Sequence, residues 1–230
     1  MAELRVYKVY GRQSYKEVSL LFFMNRTITL LMFSDVFTML GFGLIDPILA
    51  IFIKENLIGG TVFAAGLAST LFLITKCIIQ LPFSRYVDNH DDKVKWLILG
   101  SFLIALVPFI YIFSTTIFHI YLAQILYGIG SGLAYPTWLG LWSTHLDKKH
   151  ESFEWSLYST IAGGGAALSA VIGAAIAEFI GFAYTFAFVG LMSLIGCAIL
   201  FGLEHKHKDS KRPTLSHYHK RRKNLHGRYH

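Results

Sequence analysis

Five polar side chains stand inside otherwise apolar stretches of this chain: Asp35, Asp46, Lys76, Gln80 and Glu178. An ionisable group in a hydrocarbon span costs about 2.5–3.5 kcal/mol on insertion scales, so position alone makes each a functional candidate. Asp46 is followed by Pro47, which removes a backbone hydrogen bond and can break a helix beside a cavity. A carboxyl group so placed is suited to taking up and releasing a proton, as a proton-coupled carrier requires. Glu178 is close to the end of its stretch, where the plainer alternative is that it reaches out to water. Asp35 lies roughly 12 Å and Lys76 roughly 13 Å from the same side, at 1.5 Å rise per residue. Consecutive antiparallel helices usually neighbour one another. An ion pair between Asp35 and Lys76 is therefore expected, either structural or part of a gate.

The elements that must position these groups are six apolar stretches, Thr27–Ile53, Gly60–Arg85, Lys95–Thr115, Ile117–Trp142, Trp155–Gly181 and Phe182–Leu203. Each is long enough to cross a bilayer as a helix. Backbone amides in hydrocarbon must be satisfied within the segment, and barrel strands are about half this length and alternate in polarity. Composition agrees: 54% hydrophobic and 15% charged residues in 230, with mean hydropathy +0.50. The expected class is an all-α membrane protein of six transmembrane helices. Residues 1–26 form an N-terminal segment with a possible interfacial helix at Tyr15–Met24, 27–203 the transmembrane domain, and 204–230 a disordered tail.

Lys and Arg set the orientation. The N-terminal segment has five and the tail nine, while the loops after the second and fourth spans hold Arg85, Lys93, Lys95, Lys148 and Lys149. Only Lys54 falls on the opposite side. Cytoplasmic loops carry the basic excess, so both termini are expected inside a plasma membrane. Trp96, Trp138, Trp142 and Trp155 fall at the inner ends of spans, where an aromatic belt would sit.

The formal net charge of +7 is that of the tail; the preceding 203 residues balance. Such a juxtamembrane cluster attracts anionic lipid at about 1 kcal/mol per basic residue. Six of the ten histidines also lie there, in no zinc-site spacing, and no specific nucleic-acid binding is expected. Cys77 and Cys197 sit within spans as small packing residues. No cofactor, metal or enzymatic site is indicated: the loops are too short to build one, and no phosphate-cradling Gly-Lys-Ser/Thr loop occurs.

Small residues recur every fourth position in the fifth span: Gly165, Ser169, Gly173 and Ala177. Gly128 and Gly132 repeat the spacing in the fourth. On a helix each set forms one ridge that admits another backbone closely and lets helices rock past each other.

Between the second and third spans the chain reads Ser84, Arg85, Tyr86, Val87, Asp88, with Lys93 and Lys95 beyond; the fourth holds Gln124-Ile-Leu-Tyr127-Gly128-Ile-Gly130. These resemble two signatures of the major facilitator superfamily, with Ser84 in place of a Gly and Gln124 in place of an Arg. Residues 26 to 203 are covered. The resemblance implies a six-span bundle of two three-helix repeats, cytoplasmic termini and a solute path facing a second bundle. It further implies a cytoplasmic gate at Ser84, Arg85, Asp88, Lys93 and Lys95, and puts Gln124 at a cavity or coupling position. The chain amounts to one half of the usual twelve spans.

The expectation is a half-size carrier for a small solute, working as a homodimer or with a second transporter half, and proton-coupled through its buried carboxylates. The alternative is a non-transporting membrane anchor or regulatory subunit acting through its basic tail.

Overall fold

The computed structural model describes residues 25–45 and 47–211, with side chains to 203. Among them are seven helices: α1 (Arg26–Ile45), α2 (Leu49–Asn56), α3 (Val62–Asn89), α4 (Lys93–Ile112), α5 (Ile117–His145), α6 (Glu151–Phe179) and α7 (Phe182–Lys211). Six are long and apolar enough to cross a membrane.

The first predicted span is divided. Pro47 stands in the turn between α1 and α2: it lacks the N–H that a continuing helix would use, and proline in general disfavours helical backbone just ahead of it. Pro82, Pro108 and Pro136 remain inside α3, α4 and α5 without ending them. At its start, α3 is capped by Thr61, whose hydroxyl accepts the Ala64 N–H at 3.0 Å. α7 continues as helix to Lys211, past the boundary at Leu203, through a run containing the good helix formers Glu and Lys. The remainder of the basic tail, residues 212–230, and the N-terminal segment through Met24 lie outside the described residues.

The packing follows a two-fold pattern. α1 packs on α6 and α7, while α5 packs on α3 and α4, and α4 meets α7. Exchanging the first three spans for the last three converts α1–α6 into α5–α3 and α1–α7 into α5–α4, and leaves α4–α7 unchanged. This is the arrangement of two three-helix repeats whose extensive contacts run between repeats. The far ends are tied by an isolated parallel bridge, in which the Ile58 and Ile117 N–H groups donate to the Thr115 and Ile58 carbonyls at 3.1 Å each.

Two expectations are corrected here. α1 and α3 do not pack along their lengths despite their short connection; their small-residue partners lie elsewhere. Trp138 and Trp142 do not form an outward belt but are 7% and 0% exposed inside the bundle, stacked at 4.9 Å; Trp155, 38% exposed, sits against both. Aromatic surface at the basic end is thus spent on packing α5 against α6.

The α5–α6 connection has its own pH response. His150 Nδ1 lies 2.8 Å from the Asp147 carboxylate, which also accepts the Lys149 N–H at 3.0 Å. These bonds, that from His150 foremost, hold the exposed Asp147 below its ordinary value of 3.8. A lowered folded value means the turn's hold is complete above the ordinary value and fades as pH falls through the lowered one. The protection of the Lys149 amide in hydrogen exchange is expected to fall on acidification through that range, and Asp147→Asn to remove the dependence.

Candidate functional site

A cavity of about 260 Å³ opens in the half of the bundle nearer the basic end. α1 brings Ser34, Asp35 and Thr38 to it, and α3 brings Phe72 and Lys76. Ser101 comes from α4, Tyr127, Ser131, Tyr135 and Trp138 from α5, and Tyr158 from α6. Tyr158 donates its hydroxyl to Asp35 Oδ2 at 2.5 Å, across 123 residues of sequence. The Lys76 ammonium rests 4.7 Å from the centroid of the Tyr135 ring. Asp35 and Lys76 therefore share a cavity but do not form the expected ion pair. Their helices face each other across space rather than packing, and Asp35 is taken by α6 instead.

A second cavity of about 400 Å³ lies toward the far end, lined by apolar side chains together with Ser69, Tyr111 and Gln124. Gln124 is 4% exposed, and its Nε2 donates to the Tyr111 hydroxyl at 3.2 Å. Phe72 and Tyr127 line both cavities. Tyr127 stacks between Phe42 at 4.6 Å and Phe72 at 4.2 Å, so rings from α1, α5 and α3 form a septum between the two.

The other candidates lie apart. Gln80 is partly buried on α3 and lines neither cavity, and Glu178 is exposed near the end of α6. Asp46 lies outside the described residues. At the basic end Arg85, Asp88 and Lys95 are exposed, Ser84 and Lys93 partly so, and no ion pair joins them among the described residues. The Ser84 hydroxyl bonds back to the Leu81 carbonyl at 2.8 Å.

The glycines mark where helices come closest. A Cβ at Gly128 would lie 2.6 Å from Thr75 Cβ, and one at Gly132 2.9 Å from Ile79 Cβ, so α3 runs against α5 there. A Cβ at Gly173 would lie 2.3 Å from the Leu44 carbonyl oxygen, while Gly165 faces the Leu40 side chain and Ser169 is buried. These approaches bring α1 against α6 and so deliver Tyr158 to Asp35.

Residues 31–225 match the family model of the Major Facilitator Superfamily. The chain belongs to that superfamily. It is 25% identical over 197 residues to the quinolone resistance protein NorA of Staphylococcus aureus (strain N315), covering 86% of this chain and 49% of the relative. It is also 25% identical over 165 residues to an uncharacterised MFS-type transporter, MJ1560, of Methanocaldococcus jannaschii, covering 71% of this chain and 42% of the relative. The chain thus spans about half the length of the curated relatives it matches. Among solved structures it superposes on the POT family transporter PepTSo with a TM-score of 0.68 at 16% identity, covering 79% of this chain and 37% of that one. An auto-inhibited POT family peptide transporter gives 0.66 at 15%, covering 77% and 37%. At such identities the likeness is one of fold.

Within this member of the superfamily, sequence reasoning overlooked several residues. Tyr158 carries no charge and so raised no flag, although it lies about 10 Å into its helix, close to the depth of Asp35. Glu154, 2% exposed, stands one residue ahead of the apolar stretch that begins at Trp155 and so outside the span; its carboxylate accepts the Asp147 N–H at 3.3 Å. The septum is made of aromatic residues that single-sequence inspection reads as ordinary core.

Proposed function

We propose that this chain is a six-span half of a carrier for a small solute, with the solute taken into the cavity shared by Asp35 and Lys76. One observation carries the reading: two opposite charges face a cavity near mid-bundle, where an idle ionisable group is costly. The septum beside it supports alternating access, because it divides the conduit into two compartments that need not be open together. The names of the matched relatives, a resistance protein and an MFS-type transporter, agree with a transporting rather than an enzymatic role.

A second six-span bundle completes the pathway, proposed here as a second copy related by a two-fold axis along the membrane normal. α3 and α6 are the least buried spans and offer the faces for it. Asp88, exposed like Arg85 and Lys95, is available to latch across that interface on the cytoplasmic side of the plasma membrane. Asp35 is the proton-exchanging group, with Asp46 a second candidate, and the basic tail holds anionic lipid.

The test is proteoliposomes of the full chain with a trapped pH dye, a proton gradient and a panel of small solutes. Solute-dependent proton movement is expected, with Asp35→Asn lowering its rate on the order of 10²-fold, the loss typical of removing a proton-transfer group. Equal proton movement in Asp35→Asn removes coupling through this residue. A chain that is a strict monomer in nanodiscs and still transports in proteoliposomes removes the dimer.

A further inference from the structure

The charges in the cavity are each incomplete. Asp35 has one oxygen engaged by the Tyr158 hydroxyl, and its other oxygen has no hydrogen-bond partner among the described residues. The Lys76 ammonium rests against the Tyr135 ring, with no carboxylate within ion-pair distance among the described residues. A ring face compensates a desolvated cation only in part. A charge removed from water costs more alone than beside an opposite charge, and these two line one cavity without reaching each other. The space between them is walled by Phe72, Tyr127, Tyr135 and Trp138. An entering molecule bearing a single charge satisfies one of the two groups and leaves the other stranded.

We propose that the cavity selects solutes carrying both a positive and a negative charge on an aromatic body, the cationic end at Asp35 and the anionic end at Lys76. This rests on the cavity being the solute site and adds its chemical class. Two charge-assisted contacts would form at the two ends, while the ring lies among the aromatic walls. Neutral aromatic compounds would use the walls alone. Cations and anions would each use one end.

The test uses four compounds on one scaffold: 4-(aminomethyl)benzoate with both charges, benzylamine, benzoate, and neutral benzyl alcohol. Binding to the full chain in lipid nanodiscs is measured by calorimetry, with empty discs as the blank. The doubly charged compound is expected to bind about tenfold tighter or more than either singly charged one, since each charged contact is worth that much. Asp35→Asn should reduce it to the affinity of benzoate, and Lys76→Gln to that of benzylamine. Lys76→Arg keeps the charge and should keep the preference, which separates a charge effect from a folding defect. Ser131→Trp fills the cavity and should abolish binding of every probe.

Equal affinity for benzylamine and the doubly charged compound overturns the proposal, as does a Lys76→Gln protein that binds the latter unchanged. If that happens while Ser131→Trp still abolishes binding, the cavity remains a solute site and only the charge rule falls. If no probe binds the wild-type chain above the blank, the charge rule and the solute site fall together.

Discussion

Gly173→Leu is expected to lower the melting temperature of the chain more than any other single change in the small-residue ridge of α6. A Cβ there would lie 2.3 Å from the carbonyl oxygen and 2.6 Å from the Cα of Leu44. Both are backbone atoms, so no rotamer change relieves the clash and α1 must move away from α6. Overpacking costs about 1–3 kcal/mol, and a rigid neighbour puts this case at about 3 kcal/mol or above. For a chain of this size that is a fall of roughly 6–12 °C. Gly165→Ala should be milder, because the obstacle there is the end of the Leu40 side chain. Gly163 and Gly164 have nothing within 4 Å, and alanine at either should not destabilise, given its helix propensity advantage of about 1 kcal/mol. Thermal unfolding in detergent checks the series. A Gly173→Leu protein that melts with the wild type would mean α1 and α6 are not in backbone contact.

Tyr127→Ala is expected to turn the two cavities into one. Its ring is the middle member of the septum, and the flanking rings of Phe42 and Phe72 touch each other only through it. Deleting a large buried aromatic costs about 3–5 kcal/mol, and the partial exposure of Tyr127 puts this site near the lower figure. The functional consequence is larger. With the partition gone, vesicles bearing the variant should pass protons or small solutes without an opposing gradient or a bound solute. Tyr127→Phe preserves the stack and should keep the vesicles as tight as the wild type. If Tyr127→Ala vesicles stay as tight as Tyr127→Phe vesicles, the septum is packing and not a barrier.

Much of the fold could be read from the chain because the bilayer leaves few choices. Stretches of apolar residues beyond twenty can only be helices, and their number and order stand as expected. The Asp46-Pro47 pair carried the local signal for the break between α1 and α2. Partner choice was harder. Loop length suggested that α1 lies beside α3, whereas steric access decides the matter: Gly173 admits α1 to α6, and Gly128 with Gly132 admits α3 to α5. The ridges were visible in the sequence, but a ridge does not name the helix that fills it. The same gap explains the site. Asp35 and Lys76 were conspicuous as charges, yet the hydroxyl that engages Asp35 arrives on a helix whose place depends on those glycines. The sequence shows the depth of Trp138 and Trp142 in their span, and depth does not distinguish a ring facing lipid from one facing α6.

The exchange of packing between the two three-helix repeats bears on how the chain is made. Among the described residues every extensive backbone approach joins a helix of the first repeat to one of the second, and within a repeat the contacts are mainly side-chain ones such as the rings between α5 and α6. Spans α1, α3 and α4 therefore emerge from the ribosome with little to grip but lipid and the rings of Phe83, Tyr86 and Trp96 beside the α3–α4 turn. They must wait in the bilayer until α5 arrives, and α1 gains its own neighbours only with α6 and α7. Truncation after α4 should consequently leave an insertion product and not a smaller folded unit.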